Sequence, residues 1–586
     1  MKKCMQRVLS NNTAYAGKGP STLLPQTPKL LSLCVAFAML SMACTTGPSD
    51  KEAKAEQERQ AKTKYIEVDV TPAQSKEHNT QDLAHSSDAK MIMPRAALAM
   101  RIDPPQQPPP PIANRDDFQE FSTSPVKLVN DEPVSTFSSD VDTSAYSFVR
   151  RQLNSGFLPT KQAVRLEEMV NYFDYQYPKP QSADEPFKAT TLVYDSPWAK
   201  DRKLVHIGIQ GYEIAEDAQP NSNLVFLLDV SGSMNSPDKL PLVKQSMALL
   251  LEQLKPSDTV SIVVYAGAAG TVLAPTKVEN KAEIFAAMEK LSAGGSTAGG
   301  QGIELAYRLA EQNFNEDAVN RIILATDGDF NVGLNDTNGL QDFVERKREK
   351  GIFLSVLGFG QGNYQDHLMQ SLAQNGNGIA AYIDTLSEAQ KVLVHEATSA
   401  LFPIANDLKI QLEFNPKVVK EYRLLGYETR ALAQEDFNND KVDAGDIGSG
   451  HSVTAIYEVT LVGSEGRFID DLRYDNTQAQ MNTDLANELG FLKLRYTLPG
   501  DVGSTLLEQA IVNTSEASDT LLREARFAAS VAGFAQLLKD AKYTGNWNMK
   551  DALELALANR GEDEFGYRNE FVQLVRKATL AQPARM

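Results

Sequence analysis

The chain has 586 residues, 42% of them apolar and 23% charged, with a formal net charge of −18. That length accommodates about three domains of ordinary size, and the acidic balance excludes a general nucleic-acid binder, which needs a basic face to neutralise phosphates. The only cysteines are Cys4, Cys34 and Cys44, so no disulfide is available to hold the folded body together.

The first element is an address. Lys2, Lys3, Arg7, Lys18 and Lys29 make a basic leader ahead of an apolar run from Leu30 to Ala43. At roughly 14 residues the run is short for a membrane span and suits the core of a signal peptide. It ends Leu40-Ser41-Met42-Ala43-Cys44. Small residues before a cysteine resemble the bacterial lipoprotein cleavage box, although Ser41 stands where that box usually has leucine. The resemblance implies that residues 1–44 form a lipoprotein signal peptide and that Cys44 carries the lipid. Thr45, rather than aspartate, follows; by resemblance to enterobacterial sorting this implies an outer-membrane anchor facing the periplasm. Such an anchor holds firmly because each buried methylene adds about 0.8 kcal/mol. Residues 45–128 then read as a disordered, Pro-rich tether, with Pro104-Pro105 and Pro108 to Pro111 stiff and extended.

Residues 129–221 open the folded part. Asp140-Val-Asp142-Thr143-Ser144 lacks the preceding apolar strand that a phosphatase nucleophile loop needs, so Asp or Thr here is expected to cap a short amphipathic helix running from Ser147. Lys161 to Tyr172 reads as a second helix, and 189–195 and 203–210 as strands.

Residues 222–400 alternate strand and helix, the pattern of a doubly wound α/β domain whose mostly parallel sheet has helices on both faces. Strands are expected at Leu224–Leu228, Thr259–Tyr265, Arg321–Thr326, Ile352–Leu357 and Ile379–Ile383, with Gly270–Ala274 as a hairpin partner. The first is a continuous apolar run that suits a strand buried on both faces. It delivers Asp229, Ser231 and Ser233 to the carboxyl edge, where open α/β sheets bind ligands. Thr297, in the Gly-rich loop Gly294–Gly302, and Asp327, after the strand Arg321–Thr326, fall on the same edge. Two carboxylates, three hydroxyls and one open position suit an octahedral hard cation, Mg²⁺ or alternatively Mn²⁺ or Ca²⁺. Asp329 either supports this site from behind or sits in a surface turn.

Asp229-x-Ser231-x-Ser233, the Thr297 loop and Thr326-Asp327-Gly328, in this order, resemble the von Willebrand factor A domain and its metal-ion-dependent adhesion site. The resemblance implies that all five residues hold a divalent cation, directly or through water. The wider chain is similar to the bacterial YfbK-like lipoproteins, which place an A domain between an N-terminal segment and a family-specific C-terminal region.

Residues 401–586 form that C-terminal region, and with residues 129–221 they make flanking α+β regions. Leu408–Phe414, Val453–Leu461 and Phe491–Thr497 alternate with a period of two and read as strands. Asp436–Asp446 reads as a solvated turn. From about residue 503 the chain is expected to be helical, with a stripe of Phe527, Val531, Phe534 and Leu538. The functional expectation is a membrane-tethered binding protein, not an enzyme. It would present its cation to a carboxylate of a protein partner in the cell envelope. The alternative is a Mg²⁺-dependent hydrolase of phosphate esters, for which His367 is the only histidine nearby in sequence.

Overall fold

The fold was obtained as a computed structural model that describes residues 116–139, 142–295, 299–328, 337–470, 485, 487–501, 503–513 and 517–583. The leader, Cys44 and the tether up to residue 115 lie outside the described residues. So do Thr297 and Asp329.

The central sheet has six strands in the order Ala380–Ile383, Ile352–Phe359, Ala318–Thr326, Asn221–Asp229, Thr259–Tyr265 and Ala269–Lys277. The first five run parallel and the last is antiparallel. The unbroken apolar run of Asn221–Asp229 explains its place in the middle. With a two-residue period, Leu224, Phe226 and Leu228 join one core, roofed by helices Leu240–Gln253 and Lys281–Glu289. Val225 and Leu227 join the opposite core, under helices Gly299–Gln312, Thr337–Arg348 and Asp366–Asn375. This is the doubly wound α/β architecture expected from the alternating pattern.

The flanking regions are woven into one body rather than standing side by side. One sheet runs Lys127–Leu128, Val419–Leu424, Ser452–Leu461, Lys203–Gly211, Phe187–Asp195. Another runs Gly445–Gly448, Pro403–Phe414, Glu488–Thr497, Ser504–Val512, with Val134–Ser138 added to Pro403–Phe414. The two sheets pack as a sandwich around one core, which holds the aliphatic side chains of Val205, Ile207, Ile410 and Leu412 and the rings of Phe414, Tyr422 and Tyr457. The outer face of the first sheet, through Leu192, Tyr194, Leu204 and Ile456, packs on helices Ser144–Asn154, Asp519–Lys539, Met549–Asn559 and Tyr567–Ala578. The central domain is thus an insertion between strands Lys203–Gly211 and Pro403–Phe414.

Three local expectations need correction. The folded body reaches forward at least to Asp116, ahead of the expected end of the tether at 128. The Asp116 carboxylate pairs with the buried Arg151 at 2.6 Å, and Phe118 sits edge-on to Phe148. Residues Ser504–Val512 are a strand, not helix: they pair antiparallel with Glu488–Thr497, and the helix begins only at Asp519. Asp142 does not cap the helix Ser144–Asn154. It accepts from Ala380 N–H at 3.0 Å and pairs with Arg430, because the helix N-terminus is pressed against the edge strand of the central sheet. That contact covers an edge that would otherwise be open to pairing.

Candidate metal centre

Asn221–Asp229 ends at Asp229, whose side chain is fully buried. The strand register sets Leu228 opposite Ala325, so Asp229 and Asp327 leave the edges of adjacent strands together. Ser231 N–H donates to Asp229 Oδ1 at 2.8 Å, folding the chain back over the strand end. A turn of 3₁₀-helix, Gly232–Asn235, follows and brings the Ser231 and Ser233 hydroxyls within 2.9 Å of each other. Ser231 is buried and Ser233 exposed, so the pair forms a path from the carboxylate to solvent. The loop leading toward Thr297 is laced onto the same turn: Gly294 N–H donates to the Val230 carbonyl at 2.7 Å, and Gly232 N–H to that of Gly295 at 3.0 Å.

Asp327 is also buried, and Gly328 behind it has φ of +101°. A Cβ at Gly328 would overlap the Asn363 carbonyl, so only glycine lets the loop pass here. Burial pushes the Asp229 carboxyl up to about 6. The Ser231 hydroxyl and N–H act against that rise, and the Asp327 charge adds to it. Buried carboxylates this close together favour a cation between them.

The donor set fits a hard divalent ion. Asp229 Oδ2 is buried and receives no hydrogen bond, which leaves an anionic oxygen for a ligand. Every other candidate atom is a hydroxyl or carboxylate oxygen, the preference of Mg²⁺ and Mn²⁺. No cluster of three or more His, Cys, Asp or Glu suited to a metal occurs among the described residues, so a cation here depends on hydroxyl ligands. Of the five expected ligands, Asp229, Ser231, Ser233 and Asp327 are brought to one sheet edge; Thr297 lies outside the described residues.

One neighbour escaped the sequence reading. Lys239 Nζ donates to Asp327 Oδ2 at 2.8 Å. The only signal was a lysine a few residues past Ser233, just ahead of a helix, and nothing in periodicity says that it turns inward. Its stem lies across Gly360, where a Cβ would collide with it. Tyr265, at the end of the adjacent strand, is a second such neighbour: it is buried beside Asp229, and its hydroxyl is held well above its ordinary pKa by burial and then by the Asp229 charge. No histidine among the described residues joins this group. His367 is exposed on the first turn of helix Asp366–Asn375.

Comparison with known proteins identifies the family. Residues 223–395 match the von Willebrand factor type A domain model, residues 112–206 the model described as von Willebrand factor, and residues 399–580 the C-terminal model of the uncharacterized protein YfbK. YfbK of Escherichia coli (strain K12) is 44% identical over 467 residues, covering 79% of this chain and 80% of that protein. The chain belongs to the YfbK family. This YfbK-family chain is also 34% identical over 167 residues to the uncharacterized protein sll0103 of Synechocystis sp., covering 28% of this chain and 39% of the other. A solved von Willebrand factor type A structure from Catenulispora acidiphila covers 71% of this chain and 99% of its own, at 15% identity and a TM-score of 0.38.

Proposed function

We propose that this YfbK-family protein binds a divalent cation through Asp229, Ser231, Ser233, Thr297 and Asp327 and uses it to hold an acidic group of a protein partner. The observation that carries the reading is the buried Asp229 carboxylate. One oxygen is held by Ser231 N–H, the other receives no hydrogen bond, and a hydroxyl pair leads from it to the surface. When bound, the cation supplies a Lewis-acidic point with an open coordination position for a partner's carboxylate. The chain's own part is to hold two carboxylates at adjacent strand ends, to aim the two serines, and to keep bulk water from Asp229. Binding rather than hydrolysis fits best, because no histidine among the described residues joins the ligands and the neighbouring Lys239 is engaged with Asp327. The lipid on Cys44 would anchor this domain in the bacterial envelope, with the outer membrane facing the periplasm as the expected place and the tether setting its reach. No helix among the described residues is long and apolar enough to cross a membrane.

The test is calorimetric titration of the purified protein with Mg²⁺ and Mn²⁺, in parallel with Asp229→Ala and Asp327→Ala. Cross-linked pull-downs from envelope fractions, with and without EDTA, follow with the same variants. Saturable binding lost in both variants, and a captured partner lost with EDTA, are the expected results. Equal cation binding by Asp229→Ala would end the metal reading, and capture indifferent to EDTA would end its role in partner binding. Phosphate-ester turnover lost in Asp229→Ala would instead favour hydrolysis.

A further inference from the structure

The loop 360–365, which follows strand Ile352–Phe359, backs the cation edge at two points. The Asn363 carbonyl occupies the place a Cβ of Gly328 would take, so it is pressed against the backbone that carries Asp327. The stem of Lys239, whose ammonium donates to Asp327 Oδ2, occupies the place a Cβ of Gly360 would take. Whatever fixes this loop therefore fixes both the Asp327 carboxylate and its cationic neighbour.

No strand or helix shapes the loop from within, so its form is set by what holds its ends. At its start, the Gly360 carbonyl accepts from the Tyr382 hydroxyl at 2.5 Å, and Arg151 Nη1 donates to that hydroxyl. At its end, Tyr364 is held by the first described residues. Its N–H donates to Asp116 Oδ1 at 2.9 Å, and its carbonyl accepts from Asp117 N–H at 2.9 Å. Asp366 N–H donates back to the Asp117 carbonyl at 3.2 Å. Asp116 Oδ2 then accepts from Arg151 Nη2 at 2.6 Å. One carboxylate thus joins the two anchorages of the loop.

The Asp116 side chain is only 2% exposed, although Asp117 and Glu120 beside it in sequence are exposed. A buried carboxylate is costly unless it is paired and hydrogen-bonded, and here both oxygens are used. A plain staple could be apolar, as Phe118 against Phe148 is. The carboxylate adds direction, because it fixes the Tyr364 N–H and the Arg151 fork relative to each other. Metal ligands depend on such outer groups to hold their orientation.

We infer that Asp116 is a positioning residue of the cation site, pinning the loop 360–365 against which Asp327 and Lys239 rest. It acts through the loop and not on the ion, and the inference rests on the cation binding proposed for Asp229 and Asp327.

The experiment is Mn²⁺ titration of the full chain, read by the electron-spin signal of the free ion, with hydrogen exchange followed by mass spectrometry as a second readout. The unaltered protein is titrated first: failure to bind Mn²⁺ ends the cation reading itself and this inference with it. Given binding, Asp116→Ala is expected to weaken it about tenfold, the low end of the loss usual for groups that orient metal ligands. Asp116→Asn, which keeps an acceptor for Tyr364 N–H, should lose less. Arg423→Met is the control. It breaks a buried pair with Glu458 in the sandwich, so it lowers stability without touching the loop and should bind Mn²⁺ as the unaltered protein does. By linkage, saturating Mg²⁺ should in turn slow exchange of the Asp117 and Tyr364 amides, and should not do so in Asp229→Ala. That readout needs no change at Asp116, so it decides the matter if Asp116→Ala does not fold. Unchanged Mn²⁺ affinity in Asp116→Ala overturns the inference and leaves the cation site standing. An equal loss in Arg423→Met, or exchange indifferent to Mg²⁺, overturns it likewise.

Discussion

Lys239 Nζ lies 2.8 Å from Asp327 Oδ2, so an ammonium already sits on one of the two carboxylates expected to hold a divalent ion. A tethered charge and a free one compete for the same oxygen. Replacing the lysine by an uncharged residue of similar length, Lys239→Met, is expected to raise Mn²⁺ affinity about tenfold, or about 1.4 kcal/mol. Titration followed by the electron-spin signal of free Mn²⁺ reads this directly. Unchanged or weaker binding would mean that the lysine steadies Asp327 instead of competing for it.

Gly328 offers a separate handle on the same carboxylate. Its φ of +101° and its approach to the Asn363 carbonyl leave no room for a side chain. Gly328→Ala should cost more than the roughly 1–2 kcal/mol of left-handed strain alone and should weaken Mn²⁺ binding by displacing Asp327. Gly463→Ala is the control: φ there is +84° but a Cβ meets nothing within 4 Å, so only the strain is felt. Urea unfolding and Mn²⁺ titration of the two variants separate the effects.

Arg150 ties three parts of the chain together. From helix Ser144–Asn154 it reaches Asp384 and Glu388 of the central domain, Tyr172 at 2.9 Å, and Glu570 of helix Tyr567–Ala578. Removing one partner of such a buried group leaves uncompensated charge, so Arg150→Met is expected to destabilise by about 3–5 kcal/mol. Lys203→Ala, which removes the partner of the exposed Asp195, should cost less than about 1 kcal/mol. Denaturant midpoints decide the comparison.

His206 makes stability depend on pH. The ring is fully buried, bonds the Tyr177 hydroxyl at 2.6 Å, and has its pKa pushed down by burial from 6.5 to about 3. Between those values the unfolded chain binds more protons than the folded one. Stability therefore falls as pH drops through that window, by up to about 1.4 kcal/mol per pH unit. His206→Gln should flatten the slope of unfolding free energy against pH between 6.5 and about 3. An unaltered slope would assign the acid sensitivity to other groups.

The central domain was legible because its chemistry and its periodicity coincide. Leu224–Leu228 is apolar at every position, as a strand between two helix layers must be, and its end is marked by Asp229 and two serines. The flanking regions were less so. Val134–Ser138 is too polar to announce a strand, and its partner Pro403–Phe414 lies on the far side of the whole central domain, where no local pattern can point to it. Ser504–Val512 carries Leu506 and Leu507 side by side, which blurs the alternation that separates strand from helix. Lys239 and Asp116 were missed for a common reason: a charged residue is read as solvated unless something nearby says that it is buried, and in both cases the burying groups come from distant segments.

The inserted central domain leaves the sandwich after Gly211 and returns at Pro403. Those two crossings enter different sheets, and each lands on an inner strand. Lys203–Gly211 has neighbours on both sides, as does Pro403–Phe414. A pull on the central domain would therefore be split between two strands that are each clamped laterally. Neither can be peeled away from a free margin.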